Sequence, residues 1–379
     1  LKTSLYLHIP FCLSKCSYCD FFSVPVAHAT DLEEYIGLLL RQLQLAAAGD
    51  RWNGPFATVF FGGGTPSLLT PEQISRILEF AEQLFGFEPD VEISLEANPG
   101  TVSPASLNGY RTAGINRLSL GVQTFSENRL RRIGRPHTAT ENLGALRLAR
   151  QAGFDNLACD LMFALPGQRL ADLHEDLQRA LEFLPEHFSC YGLSAEADTP
   201  LGAAVRQGLL SLPDDEFYAD AFLLLHAELE AAGYEHYEIA NYARPGFACR
   251  HNLGYWLRQP SLGLGAGAHS FLTAGWGARL AAANDLQAYR EQLLAGRDPM
   301  TAIEEFDRAG AMRETIYLGL RTRQGVDNER FRARFGASVE EAFPAAVRQL
   351  AGHLQYAHGR WRLQPADWLL FDHWIEPFL

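Results

Sequence analysis

The chain has 379 residues, 47% of them hydrophobic, enough for one large core with a smaller appended unit. Its formal charge of -13 excludes a global cationic field for nucleic acid, although RRIGR at 131–135 offers a local anion site. No apolar run reaches the roughly 18 residues of a membrane span, the opening LKTSLYLHIPF is too short for a signal peptide, and six cysteines are too few for a disulfide-built fold.

A soluble protein of the reducing cytoplasm is the resulting expectation. Along the chain, strand-like pieces occur at SLYLHI, ATVFF, VEISLEA, NRLSLGV, DNLACDLMF and FSCYGLS. Between them PEQISRILEFAEQLFG, PASLNGYRTAG, TATENLGALRLARQAG and LADLHEDLQRALEFL carry apolar residues at helical spacing. Pro71 marks a helix start, and the glycines closing RTAG and RQAG mark helix ends. This order predicts an α/β fold, a parallel sheet covered by crossover helices, with six units forming a partial (β/α)6 barrel. Unusual residues fall at the strand ends: GGGTP after ATVFF, EANPG after VEISL, GVQ after NRLSL, and Asp160 near the end of DNLACD. In a barrel-like sheet those ends converge on one mouth, where loops build a site.

The core is expected over 1–245. An extension and linker at 246–300 contains HNLGYW and the glycine-rich SLGLGAGAHS. A mainly helical C-terminal domain follows over 301–379, with YAHGRWRL as a small winged β-hairpin.

Behind the first strand stands CLSKCSYCDF, with three of the six cysteines inside eight residues. Cys12, Cys16 and Cys19 are soft ligands at a spacing that wraps a metal or cluster with one coordination position left open. A structural zinc site needs a fourth ligand, such as His8 or Asp20, and the Cys16–Cys19 pair also has the spacing of a dithiol redox centre. Spacing alone leaves the three readings open.

The full stretch LYLHIPFCLSKCSYCDF resembles the radical S-adenosylmethionine (SAM) superfamily, in its coproporphyrinogen-oxidase-like branch. The resemblance implies a [4Fe–4S] cluster on Cys12, Cys16 and Cys19, with its fourth iron chelated by S-adenosyl-L-methionine. One electron then cleaves SAM to methionine and a 5′-deoxyadenosyl radical, the cofactors carrying the chemistry that the protein positions. By the same resemblance Gly63, Gly64 and Thr65 approach the SAM amino group, and Glu96 and Gln123 contact its ribose and amino-acid portions. Arg135 pairs with its carboxylate, Asp160 accepts from the ribose hydroxyls, and Tyr6 lies near the methionine part.

Within the branch, coproporphyrinogen decarboxylases usually carry a further cysteine two residues after the third ligand, where this sequence has Phe21. His251, Tyr255 and Trp256 match the HNxxYW pattern of HemW-like heme chaperones, and GAGAHS matches the same subgroup. The resemblance implies heme as cargo, with His251 as its associated ligand and Tyr255 and Trp256 in the heme region. His269 and Cys249 are rival ligands, whereas Cys159 and Cys190 read as buried small residues. Acceptor hemoproteins, respiratory enzymes at the membrane among them, and a cofactor-dependent homodimer complete the expectation. Radical decarboxylation of coproporphyrinogen III to protoporphyrinogen IX is the alternative, and an enzyme that opens heme and releases iron is a third reading.

Overall fold

The computed structural model describes residues 2–379. The chain enters through β1 (Thr3–Ile9), and the short β2 (Phe11–Cys12) and β3 (Val24–Pro25) bracket the cysteine loop. There follow β4 (Phe56–Gly63), β5 (Phe87–Ala97), β6 (Arg117–Gln123), β7 (Leu157–Phe163) and β8 (His187–Gly192). Strands β1, β4, β5, β6, β7 and β8 are successive parallel neighbours, the six units read from the sequence.

Parallel neighbours need long crossovers, and helices Pro71–Phe85, Pro104–Ala113, Ala139–Gln151 and Leu170–Leu181 supply them. Their starts are chemical: Thr70 accepts from the Gln73 N–H just ahead of Pro71, and Ser103 does the same for Ser106 ahead of Pro104. Before β4 runs a further helix, Ala29–Ala48, a stretch to which the sequence reading gave no element. It buries Leu32, Ile36, Leu39 and Leu43, spaced by three and four residues.

Alternation along each strand separates two faces. Leu5, Leu7, Val59, Phe61, Leu95 and Leu118 point outward into the apolar layer beneath the helices, all fully buried. The intervening positions, among them Thr58, Glu96, Ser119 and Asp160, face the interior of the curved sheet.

The sheet continues at both ends. Beyond β8 lie antiparallel β10 (Asn241–Ala243) and β9 (Glu235–Glu238). On the other flank β11 (Ser261–Leu264) pairs in parallel with β1, followed by antiparallel β12 (His269–Leu272), β13 (Ala278–Ala281) and β14 (Thr301–Glu305). The stretch expected to be an extension and linker thus contributes three strands and two helices, Arg250–Trp256 and Leu286–Leu294, and β14 carries the sheet past residue 300.

The C-terminal unit has its own core, built on Ile316, Phe331, Phe335, Val339, Leu354 and Trp368. Its wing is the hairpin β16 (Gln355–Ala357) and β17 (Arg360–Arg362), joined by β15 (Val326–Asp327). Trp368 ties this unit to the sheet. Its indole N–H donates to the Leu320 carbonyl at 2.9 Å, and its ring stands edge-on to His236 of β9 at 4.8 Å. Truncation there removes a buried aromatic and orphans a carbonyl. Trp368→Ala is expected to lower unfolding free energy by about 3–5 kcal/mol, read as a fall in the urea midpoint.

Candidate functional site

The parallel strands open at their C-terminal ends onto one cavity of about 470 Å³, within the range of small-ligand sites. Cys12, Cys16 and Cys19 line it, together with Gly63, Gly64, Thr65, Glu96, Gln123, Arg135 and Asp160. Eleven residues were expected to contact SAM or the cluster, and Tyr6 alone among them is not in the lining.

The cysteine loop is held from three sides. Val24 N–H donates to the Pro10 carbonyl at 2.7 Å and Val26 N–H to that of Cys12 at 2.9 Å, closing its base. Its far end is gripped by Ser17, which donates to the Ile133 carbonyl at 3.2 Å and accepts from Leu201 N–H at 2.8 Å. The glycine turn after β4 supplies the third side: Gly64 N–H donates to the Ile9 carbonyl at 2.9 Å and Thr65 N–H to that of Phe11 at 2.8 Å. A Cβ at position 64 would lie 2.7 Å from the Phe11 carbonyl oxygen, so glycine is required there for close approach. Gly63 has φ +109°, and a Cβ on it would meet the His8 imidazole at 2.6 Å.

Donors already face the sulfurs. Thr65 Oγ1 lies 3.5 Å from Cys12 Sγ, and Arg135 Nη1 lies 3.6 Å from Cys16 Sγ. Arg135 also donates from Nη2 to the Gly121 carbonyl at 2.9 Å. Burial raises the Cys19 thiol above its ordinary pKa, with Cys16 and Cys12 adding to the shift. Among the described residues no three His, Cys, Asp or Glu side chains already stand in metal-holding geometry, so the thiols line the mouth without converging. The donor set fits a thiolate-bound cluster: three soft ligands on one clamped loop, with donors to two sulfurs. His8 is not a fourth ligand, since its Nδ1 meets Tyr6 Oη at 3.0 Å and its Nε2 the Phe22 carbonyl at 2.9 Å.

Deeper in, register sets Glu96 opposite Ser119 and Asp160 opposite Ser189. Glu96 Oε2 accepts from Gly63 N–H at 3.3 Å, and Ser119 Oγ donates to Asp160 Oδ1 at 3.1 Å. Burial, with the neighbouring Asp160 charge, pushes Glu96 up to about 8. Burial raises Asp160 as well, against the hydrogen bonds and cations that favour its charge. Gln123, at φ +65°, is held by Tyr191 Oη donating to its Oε1 at 3.0 Å. The sequence reading missed Arg117, Ser119 and Phe60, which line the same cavity. Alternation carries the signal: counting back by twos from Gln123 gives Gly121, Ser119 and Arg117 on one face.

The HNxxYW residues are placed differently from expectation. Their helix seals the sheet from below, its first N–H groups donating to Glu92: Arg250 at 3.2 Å and His251 at 3.1 Å. His251 is 1% exposed, with Nδ1 at 2.7 Å from Thr58 Oγ1 and Nε2 at 2.8 Å from Tyr255 Oη. Both ring nitrogens are engaged inside the protein. Burial, reinforced by Arg117, presses its pKa down to about 3. Trp256 packs under the Arg321 guanidinium at 4.7 Å. Cys249 is fully buried against Glu92, whereas His269 stands exposed at the start of β12.

The Glu96 shift has a consequence for stability. A carboxyl whose folded pKa is raised stabilises fully below its unfolded pKa, near 4.3, and that contribution is lost as pH climbs through about 8. Glu96→Gln is expected to flatten this decline, gaining on the order of a few kcal/mol over the parent at pH 9 relative to pH 5. Urea unfolding at stepped pH reads the difference; parallel curves for both proteins would refute it.

Comparison with known proteins agrees with this geometry. A model of the radical SAM superfamily matches residues 6–180, and one of the HemN C-terminal domain matches 306–370. The heme chaperone HemW of Bacillus subtilis is 34% identical over 92% of this chain and 91% of its own. That of Mycobacterium tuberculosis is 34% identical over 99% and 94%, and that of Escherichia coli 42% identical over 71% and 70%. The solved structure of coproporphyrinogen III oxidase (HemN) from Escherichia coli has the same fold, with a TM-score of 0.85 over 100% of this chain and 90% of that one, at 23% identity. Clamped cysteine loop, glycine turn and full-length likeness together establish that this chain belongs to the radical SAM superfamily, among its HemN/HemW-type proteins.

Proposed function

We propose that the chain is a heme chaperone that binds heme and passes it to acceptor hemoproteins, with a [4Fe–4S] cluster and SAM held in the barrel mouth. One observation carries the reading: near-full-length identity of 34% to proteins named heme chaperone HemW. The likeness to the coproporphyrinogen oxidase structure, at 23% identity, shows a shared fold and carries no reaction.

When bound, the cluster and SAM supply one-electron and radical chemistry. The chain's part is to hold and shield them. Cys12, Cys16 and Cys19 are the cluster ligands, and Thr65 and Arg135 donate toward their sulfurs. Gly63, Gly64 and Glu96 border the space beside the loop, while Gln123 and Asp160 approach from the adjoining strands. Tyr6 acts from behind this wall through His8. On the loop itself Phe21 is 70% exposed and Leu13 53% exposed, apolar surface that a cofactor-dependent homodimer would cover. Among the described residues no helix is long and apolar enough to cross a membrane.

The test is product analysis after anaerobic reconstitution with iron and sulfide. Coproporphyrinogen III is expected to remain unchanged, while added hemin binds and its Soret band moves to an apo-hemoprotein on mixing. Formation of protoporphyrinogen would overturn the chaperone reading in favour of the decarboxylase. Separately, Cys12→Ser, Cys16→Ser and Cys19→Ser are each expected to lose most of the iron and acid-labile sulfide retained by the parent. A variant that keeps its full complement would remove that cysteine from the ligand set.

A further inference from the structure

From the mouth inward, the interior face of β6 presents Gln123, Gly121, Ser119 and Arg117 to the main cavity. Two guanidinium groups stand along this line. Arg135, near the mouth, is held: it donates to the Gly121 carbonyl at 2.9 Å and faces Cys16 Sγ at 3.6 Å. Arg117 starts four residues deeper than Gly121, roughly 13 Å of strand. It is 2% exposed, yet among the described residues its side chain makes no hydrogen bond and no ion pair, and its enclosed Nε has no partner.

A buried charge without a partner is strongly unfavourable and adds nothing to packing. Burial works against the charge of Arg117, but Cys249, Glu92, Tyr237 and Asp160 nearby outweigh it, so the guanidinium stays protonated. A cation kept charged and left unpaired against a cavity is a built seat for an anion.

The rest of the lining narrows the choice of anion. Asn252, half-buried at the same cavity, has a side-chain amide with no hydrogen-bond partner among the described residues, a further donor. Glu96 and Asp160 share the lining, so one free cation matches a monoanion, whereas a dianionic phosphate would meet two carboxyls. Phe60 and Met162 add apolar wall. A planar fork of N–H donors beside apolar surface fits a carboxylate carried on an apolar body.

We propose that the deep end of the mouth cavity is a carboxylate subsite, in which the Arg117 fork grips the anion and the Asn252 amide donates to it. The family resemblance gives the SAM carboxylate to Arg135, so the carboxylate at Arg117 belongs to a second molecule. Its source is a short-chain carboxylate or a propionate of the cargo. The second source rests on the chaperone reading above; the first does not.

The test uses the full-length protein reconstituted with iron and sulfide. Without added ligand, Arg117→Met is expected to raise the thermal midpoint, because it removes an unpaired buried charge. A fall would make the guanidinium a structural group and overturn the subsite. Thermal midpoints are then read with propionate, with propionamide, and with sodium chloride at matched ionic strength. For a short-chain source, propionate alone raises the parent's midpoint, and Arg117→Gln abolishes the rise. Hemin and hemin dimethyl ester are titrated in parallel by Soret absorbance. For a cargo propionate, the parent binds hemin about ten- to a hundredfold more tightly than the ester, the worth of one charge-assisted hydrogen bond, and Arg117→Gln erases the difference. Either pattern supports the subsite, and the absence of both would overturn it. Failure of the parent to bind hemin would sink the chaperone reading and leave the propionate arm to decide this subsite.

Discussion

Two backbone hydrogen bonds decide where everything in the mouth can stand: Gly64 N–H to Ile9 and Thr65 N–H to Phe11. They fasten the turn leaving β4 to the chain entering the cysteine loop, at a separation that excludes any side chain at position 64. From that fixed edge Thr65 reaches Cys12 and Gly63 reaches Glu96. The thiols, the turn and the first interior carboxyl are therefore positioned by main chain rather than by flexible side chains. Backbone placement is rigid and has little entropy left to lose when a ligand arrives.

The interior of the sheet is the price of that mouth. Glu96, Asp160 and Arg117 are charged or chargeable groups held where water is scarce, and an isolated buried charge is strongly unfavourable. The fold manages this in different ways. Glu96 stays largely protonated near neutrality, Asp160 takes a hydroxyl hydrogen bond from Ser119, and Arg117 is 2% exposed among neighbouring acids. None of this improves packing over an apolar filling. Such groups persist in a core where a ligand must be met, and the outward face, with Leu95 and Leu118 fully buried, compensates in ordinary hydrophobic terms.

Much of the architecture was legible because it is written in periodicity. The six successive parallel strands of the core, four crossover helices, the wing and the residues at the strand ends follow from alternation, helical spacing and breakers. The Ala29–Ala48 helix was equally periodic and went unread beside a conspicuous cysteine loop. What spacing could not convey was the direction of side chains in non-repeating segments. His251 lies on a helix of seven residues whose burial depends on Thr58 and Glu92, far away in sequence. Its motif identified the helix as special but not which way the imidazole turns. The strands of the 246–300 stretch were hidden for a related reason: each has four residues, too short for a period to show.

That same helix joins the two halves of the molecule. Asn252 borders the mouth cavity, Leu253 borders the cleft beside the wing, and Trp256 packs under Arg321 of the C-terminal unit. Its N-terminus hangs on Glu92 of β5, and its histidine on Thr58 of β4. Asn252 and Leu253, adjacent residues of a single turn, thus border two separate cavities, and that turn is held by hydrogen bonds at one end and a stacked guanidinium at the other. A seven-residue helix has too few internal hydrogen bonds to set its own position, so its seat is determined by those outside contacts. The HNxxYW pattern then has a physical meaning within the fold: histidine and tyrosine lock the helix to the sheet, asparagine borders the mouth cavity, and tryptophan carries the connection onward.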